Sequence, residues 1–207
     1  MVFRGAGDGL IVLSPGCKLP PAALDELSEF GKVAALVANN AAHWMGQPEW
    51  TRRFPDVKHF APKDAVEKLQ KHLPDLPSFE PVSAAAPLLG GRAKLFEGEG
   101  FKPGWGNVFA SVVGSEGPYW YASDLLANLD RLPHHPLYWL IMKATTSGPG
   151  FQLFRPAVWL QVGDKASFRA WADAALARDV PTTIVPAHGR PARGDIAESA
   201  RRLFAKA

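Results

Sequence analysis

The sequence predicts an α/β fold in which two sheets lie face to face and helices cover the outer faces. Two observations carry that expectation. Short apolar runs alternate with helical patterns near both ends of the chain, and between them, from Ala93 onward, the hydrophobic period falls to two. A sheet with an apolar face and a helix with an apolar stripe must bury them against each other, and packed layers are the stable outcome. A doubly wound sheet uses the same ingredients, so composition alone leaves it open. With 207 residues, 47% of them hydrophobic and 21% charged, a single domain spanning residues 1–207 can bury a core.

"LIVLS", Leu10–Ser14, reads as a strand closed by a Pro-Gly turn. "PAALDELSEFG" puts Leu24, Leu27 and Phe30 on one helical face, with Gly31 as its stop. "VAALVA" is the next strand and "VKHFAP", Val57–Pro62, another, with a short helix over Glu49–Phe54 between them. "KDAVEKLQKHL" reads as a helix with Asp64 and Glu67 as a capping box. Pro74, Pro77, Pro81 and Pro87 mark an irregular stretch whose apolar content predicts packing on the body. "AKLFEG", "NVFASVVG" and "YWYAS" form an antiparallel meander, and Leu125 to about Arg178 is mainly helical. The clearest helix there is "ASFRAWADAALAR", with Phe168, Trp171, Ala175 and Leu176 inward. "TTIVPAHGRP" is the last strand, and Asp195 with Glu198 caps the final helix.

Several classes of function are disfavoured. A net charge of +3 is too small for nucleic-acid binding, and Arg190, Arg193, Arg201 and Arg202 read as the solvated side of the last helix. Cys17 is the only cysteine, which rules out an intrachain disulfide and a cysteine zinc cluster; a buried small hydrophobe is its expected role. The first apolar run is too short for a signal peptide, and "LYWLIM" is too short for a membrane span. A cytoplasmic protein acting on an unknown small molecule, with no membrane partner, is the expectation. "HPLYWLIM" offers an apolar helix for a homodimer contact or for the core. Trp139, Trp159 and Trp171 are expected in the core or an interface. His134 and His135 belong to a surface loop, His59 to a strand and His72 to a helix end.

His43, Asp124 and His188 each follow an apolar strand, in "VAALVANNAAH", "YWYASD" and "TTIVPAH". Residues at strand ends lie on loops where sites are assembled. Two imidazoles and a carboxylate suit a transition metal with open positions. Each residue also has a plain reading: a loop histidine, a helix cap at Ser123 or Asp124, and a turn in which only Gly189 matters.

Taken in order, the three motifs resemble the metallo-β-lactamase superfamily across nearly the whole chain. "TIVPAHGRP" is similar to its strand-then-His-Gly element, "YWYASDLL" to its strand-then-Asp element, and "LVANNAAHWMG" takes the place of its metal loop. With "NNAAH" in that loop and "EW" at Glu49–Trp50, the chain resembles a branch with a degenerate motif. The resemblance implies a four-layer αββα sandwich. It also implies that the first metal's histidine positions are Ala38, Asn40 and Trp105, the last in "KPGWGN". Ala42 then replaces the second metal's Asp, and His43, Asp124 and His188 are retained. Alanine and tryptophan cannot coordinate, and an amide oxygen does not replace imidazole for zinc. The expectation is a mononuclear metal-dependent hydrolase using one zinc, iron or manganese ion, with Asn39, Asn40, Trp44 and Trp105 around its pocket. The alternative is a metal-free binding protein, in which Asp124 bridges the two histidines as a satisfied polar cluster.

Overall fold

A computed structural model describes residues 1–207, which divide into two compact units: Met1–Glu97 with Pro103–Val108, and Gly98–Lys102 with Phe109–Ala207. The first unit is built on a five-stranded sheet. Its strands are β1 (Val2–Arg4), β2 (Leu10–Leu13), β3 (Val33–Val37), β4 (Lys58–Ala61) and β5 (Glu80–Pro81), in spatial order 1-2-3-4-5. Only β1 pairs antiparallel; β2 to β5 run parallel. Parallel neighbours need crossovers, supplied by α1 (Pro21–Phe30), α2 (Gln47–Arg53) and α3 (Val66–His72). All four residues of β2 are buried, which explains why it reads as a continuous apolar run without alternation.

Two apolar clusters organise this unit. Leu24 of α1 and Trp50 of α2 pack with Leu10, Val12, Val33 and Leu36 of the sheet. Leu69 of α3 packs with Ala38, Ala61, Leu73 and Phe79. The proline-marked stretch folds onto the unit through buried Phe79, Val82, Ala85 and Leu89, the last ending α4 (Ala86–Leu89), before β6 (Ala93–Glu97).

In the second unit β7 (Val108–Gly114, from Phe109 onward in this unit) and β8 (Gly117–Tyr121) form an antiparallel hairpin. β9 (Leu126–Leu129), α5 (Pro136–Ala144), β10 (Gly150–Leu153), α6 (Arg155–Gln161) and α7 (Lys165–Arg178) follow. The chain continues through β11 (Thr183–Val185), β12 (His188–Gly189), β13 (Ala192–Arg193) and α8 (Ile196–Phe204). β11 runs parallel to β8 and antiparallel to β13. A smaller sheet has the order β10-β9-β12, with β12 parallel to β9. α7 and α8 meet through Phe168 and Phe204, ring centroids 5.5 Å apart and edge to face. No helix is long and apolar enough to cross a membrane.

The structure corrects several expectations. The stretch after Leu125 contains two strands, β9 and β10. Each has only four residues, too few for a period to separate from neighbouring helical patterns. Neither Asp64 nor Asp195 makes a side-chain cap bond; Asp64 lies in a 3-10 turn preceding α3. The Lys63 N–H goes instead to Glu97 Oε2, and Glu198 goes to Arg201. The cap that does form is Asp164, whose Oδ1 accepts from the backbone N–H groups of Ala166 and Ser167. Phe30, Trp139 and Trp159 are exposed, so none of the three fills the core. Cys17 is also exposed, because the turn after β2 carries it outward.

His59 in β4 is buried between Gln47 and Thr51, each 3.3 Å from one of its ring nitrogens. The Thr51 hydroxyl donates to the Gln47 carbonyl, so His59 Nε2–H donates to Thr51 Oγ1. Burial holds its pKa below the ordinary 6.5. Between the folded value and 6.5 the unfolded chain binds more protons, so stability rises with pH across that window. Denaturant titrations should show full stability above about pH 6.5, a decline as pH falls through it, and no such component in His59→Gln. The same decline in the variant would assign it elsewhere.

Candidate functional site

β8 and β11 lie parallel with Tyr121 opposite Val185. Asp124 follows Tyr121 by three residues and His188 follows Val185 by three, so the two side chains leave the sheet at one level. Two backbone bonds keep the exits together, Ala122 N–H to the Val185 carbonyl (3.0 Å) and Ala187 N–H to the Ser123 carbonyl (2.9 Å). Ser123 adopts φ 53°, a left-handed conformation that non-glycine residues rarely take and that turns the chain directly before Asp124. No helix begins there. The chain enters β9, so the reading of Asp124 as a helix cap fails.

His188 does more than precede a glycine turn. With Gly189 it forms β12, paired with Ala127 and Asn128 of β9. Gly189 has φ 95°, and a Cβ there would collide with the Asn128 carbonyl, so the glycine permits the close pairing that fixes His188. Asp124 is buried and His188 exposed. Asp124 Oδ1 stands 3.6 Å from His188 Nε2. That exceeds the about 2.7–3.2 Å of an N–H···O bond. It matches the roughly 3.3–3.6 Å between two donors sharing one tetrahedral zinc ion with bonds of about 2.0–2.2 Å.

In the first unit, Leu13 of β2 pairs with Val37 of β3, and Ser14 N–H donates to the Val37 carbonyl (2.8 Å). Ser14 also takes a left-handed conformation, φ 52°, and its hydroxyl bonds His43 Nδ1. That bond fixes the His43 ring through Nδ1, the kind of partner that orients the imidazole in known metal sites. Asn39 and Asn40 are wholly buried. The Asn39 carbonyl accepts from Val108 N–H (2.7 Å). Asn40 Oδ1 accepts from Ala42 N–H (2.8 Å), and its Nδ2 donates to Asn107 Oδ1 (3.1 Å). Asn40 therefore closes an Asx turn and ties the loop to a second buried asparagine. Trp44 stacks on His72 at 5.4 Å, and the Lys68 ammonium lies 3.9 Å over the Trp105 ring. Both tryptophans pack on the α3 cluster.

Sequence reasoning missed Ser14 and Asn107. Ser14 closes the first strand one residue before a Pro-Gly turn, a position that reads as turn chemistry. Asn107 lies 67 positions from Asn40, and no local pattern joins them. The four arginines near the C-terminus bridge to Asp130, Glu116, Asp173 and Glu198, or bond Ser199, within their own unit.

No family model matches the chain, and no curated protein matches it in sequence. Solved structures do. The metallo-β-lactamase FIM-1 from Pseudomonas aeruginosa, in its mono-zinc form, is 14% identical with a TM-score of 0.60, over 99% of this chain and 82% of that one. A metallo-β-lactamase from Erythrobacter litoralis, with β-mercaptoethanol in its active site, is 14% identical with a TM-score of 0.59, over 100% and 84%. One from Pontibacter korlensis is 12% identical with a TM-score of 0.56, over 100% and 86%. At such identities the likeness carries the fold and nothing finer.

Asn40→Ala removes two buried hydrogen bonds. Denaturant unfolding should show a loss of about 2–3 kcal/mol, while metal content stays that of the parent chain. A parent-like stability with lost metal would make Asn40 a ligand and not a fastening.

Proposed function

We propose that this chain, which has the metallo-β-lactamase fold, holds one metal ion through His43, Asp124 and His188 and acts as a mononuclear metal-dependent hydrolase. The observation that carries the reading is the Asp124–His188 spacing of 3.6 Å, set by strand register and suited to two donors of one ion. The three residues offer one ligand atom each, two imidazole nitrogens and one carboxylate oxygen, and zinc, iron and manganese all accept that set. Bound there, a divalent ion would supply a Lewis acid for a carbonyl or phosphoryl oxygen.

The chain's own residues set limits on the rest. Ser14 orients His43, and the β9–β12 pairing orients His188. Ala42 carries no carboxylate to orient an attacking water, and the amides of Asn39 and Asn40 are not general bases at neutral pH. Slow turnover is therefore expected, and reactive esters, lactones and phosphodiesters are the compounds to try. A metal-free ligand-binding protein is the second reading. It is favoured by Asn40, whose fastening to Ala42 and Asn107 gives the former ligand position a structural task.

Metal content separates the two. Elemental analysis of tag-free protein should give about one ion per chain, falling at least tenfold in both Asp124→Asn and His188→Ala, consistent with the loss a broken ligand shell causes. No metal after reconstitution with zinc, iron and manganese, or an unchanged content in both variants, would overturn the hydrolase reading.

A further inference from the structure

The second unit contains a pocket of about 370 Å³ whose walls come from β9, α5, the residues leading into α6, and β12. Ala127, Leu129, Ile141, Met142 and Phe154 line it, and His188 stands at its side. No Asp, Glu, Lys or Arg reaches its surface. The ring of His188 lies 5.9 Å from that of Phe154, while its Nε2 lies 3.6 Å from Asp124. One imidazole thus joins an apolar hollow to the polar end of the candidate site.

We propose that this pocket binds the hydrocarbon tail of a medium-chain acyl ester whose carbonyl lies at His188; the ester part rests on the hydrolase reading above. A charged or strongly polar group inside would give up its hydration with almost no partner in return. Hydrocarbon gains from the same burial. The volume is at the lower end of small-molecule pockets, about 300–1,000 Å³, which suits one medium-length chain better than a whole lipid. Met142 adds an unbranched, adaptable side chain to the wall.

The approach is apolar as well. α5 leaves Leu137, Tyr138, Trp139 and Leu140 between 41% and 59% exposed, an unusual run for a nine-residue surface helix. The same helix supplies Ile141 and Met142 to the pocket. A lipophilic molecule that meets its outer face is therefore next to the hollow.

Titration calorimetry of straight-chain alcohols, butanol to dodecanol, against the chelator-treated full chain tests the tail site without metal. Affinity should rise roughly fourfold per methylene and then level off when the pocket is full. Ile141→Trp, which puts an indole into the space, should weaken octanol binding at least tenfold. Ile141→Ala should move the plateau to longer chains, and it reports on the pocket even if the tryptophan variant fails to fold. Affinity independent of chain length, or unaltered by either substitution, would overturn the tail site. Zinc-loaded protein should then prefer p-nitrophenyl octanoate to the butyrate in kcat/KM, and Ile141→Trp should erase that preference. Alcohols that bind as described with neither ester hydrolysed would support the tail site and overturn the hydrolase reading. Hydrolysis of both esters at equal rates would support the hydrolase reading and overturn the placement of the ester's tail in this pocket.

Discussion

Parallel pairing sets Tyr121 opposite Val185, and both strands then leave the sheet in the same direction. The third residue beyond each therefore arrives at one level, and those residues are Asp124 and His188. Ser123 turns one exit through a left-handed backbone, and Gly189 lets the other press against β9. Backbone geometry thus sets a carboxylate oxygen and an imidazole nitrogen 3.6 Å apart, an ion-pair distance that also suits two donors of one cation. The chemistry offered by this unit depends on strand register before it depends on any loop.

The first unit answers in a different way. Its loop after β3 is rich in amide and small side chains and is tightly organised. Asn40 is bonded on both sides, Asn39 is tied through its carbonyl, and Trp44 and Trp105 rest on α3 through His72 and Lys68. These side chains fasten the loop in place. His43 is held by Ser14 through Nδ1. Buried amides satisfy the backbone of a loop that has no regular element of its own.

Much of the fold was legible in the sequence. β2 and β3 of the parallel sheet are unbroken apolar runs, and α7 buries Phe168, Ala172, Ala175 and Leu176 at helical spacing. β9 and β10 were hidden, because four residues do not establish a period and Leu126 and Leu153 are buried like helix residues. The helix caps misled for another reason. Asp64 and Asp195 have the right spacing, but Glu67 pairs with Lys71 and Glu198 with Arg201 one turn along their own helices, while Asp164 caps without a box. The site residues were legible only as strand-end punctuation. Their fastenings, Ser14 and Asn107, depend on pairings across 29 and 67 positions that no local pattern contains. The pocket beside His188 was equally invisible, since its walls come from four separate elements.

The proposed site has His43, Asp124 and His188 holding one ion between them. X-ray absorption fine structure at the zinc edge of reconstituted protein tests it most directly, because it counts the imidazoles in the shell. Two imidazoles and one carboxylate per zinc are expected, and one imidazole in either His43→Ala or His188→Ala wherever zinc is retained. A shell with no imidazole, or one unchanged by both substitutions, would contradict it.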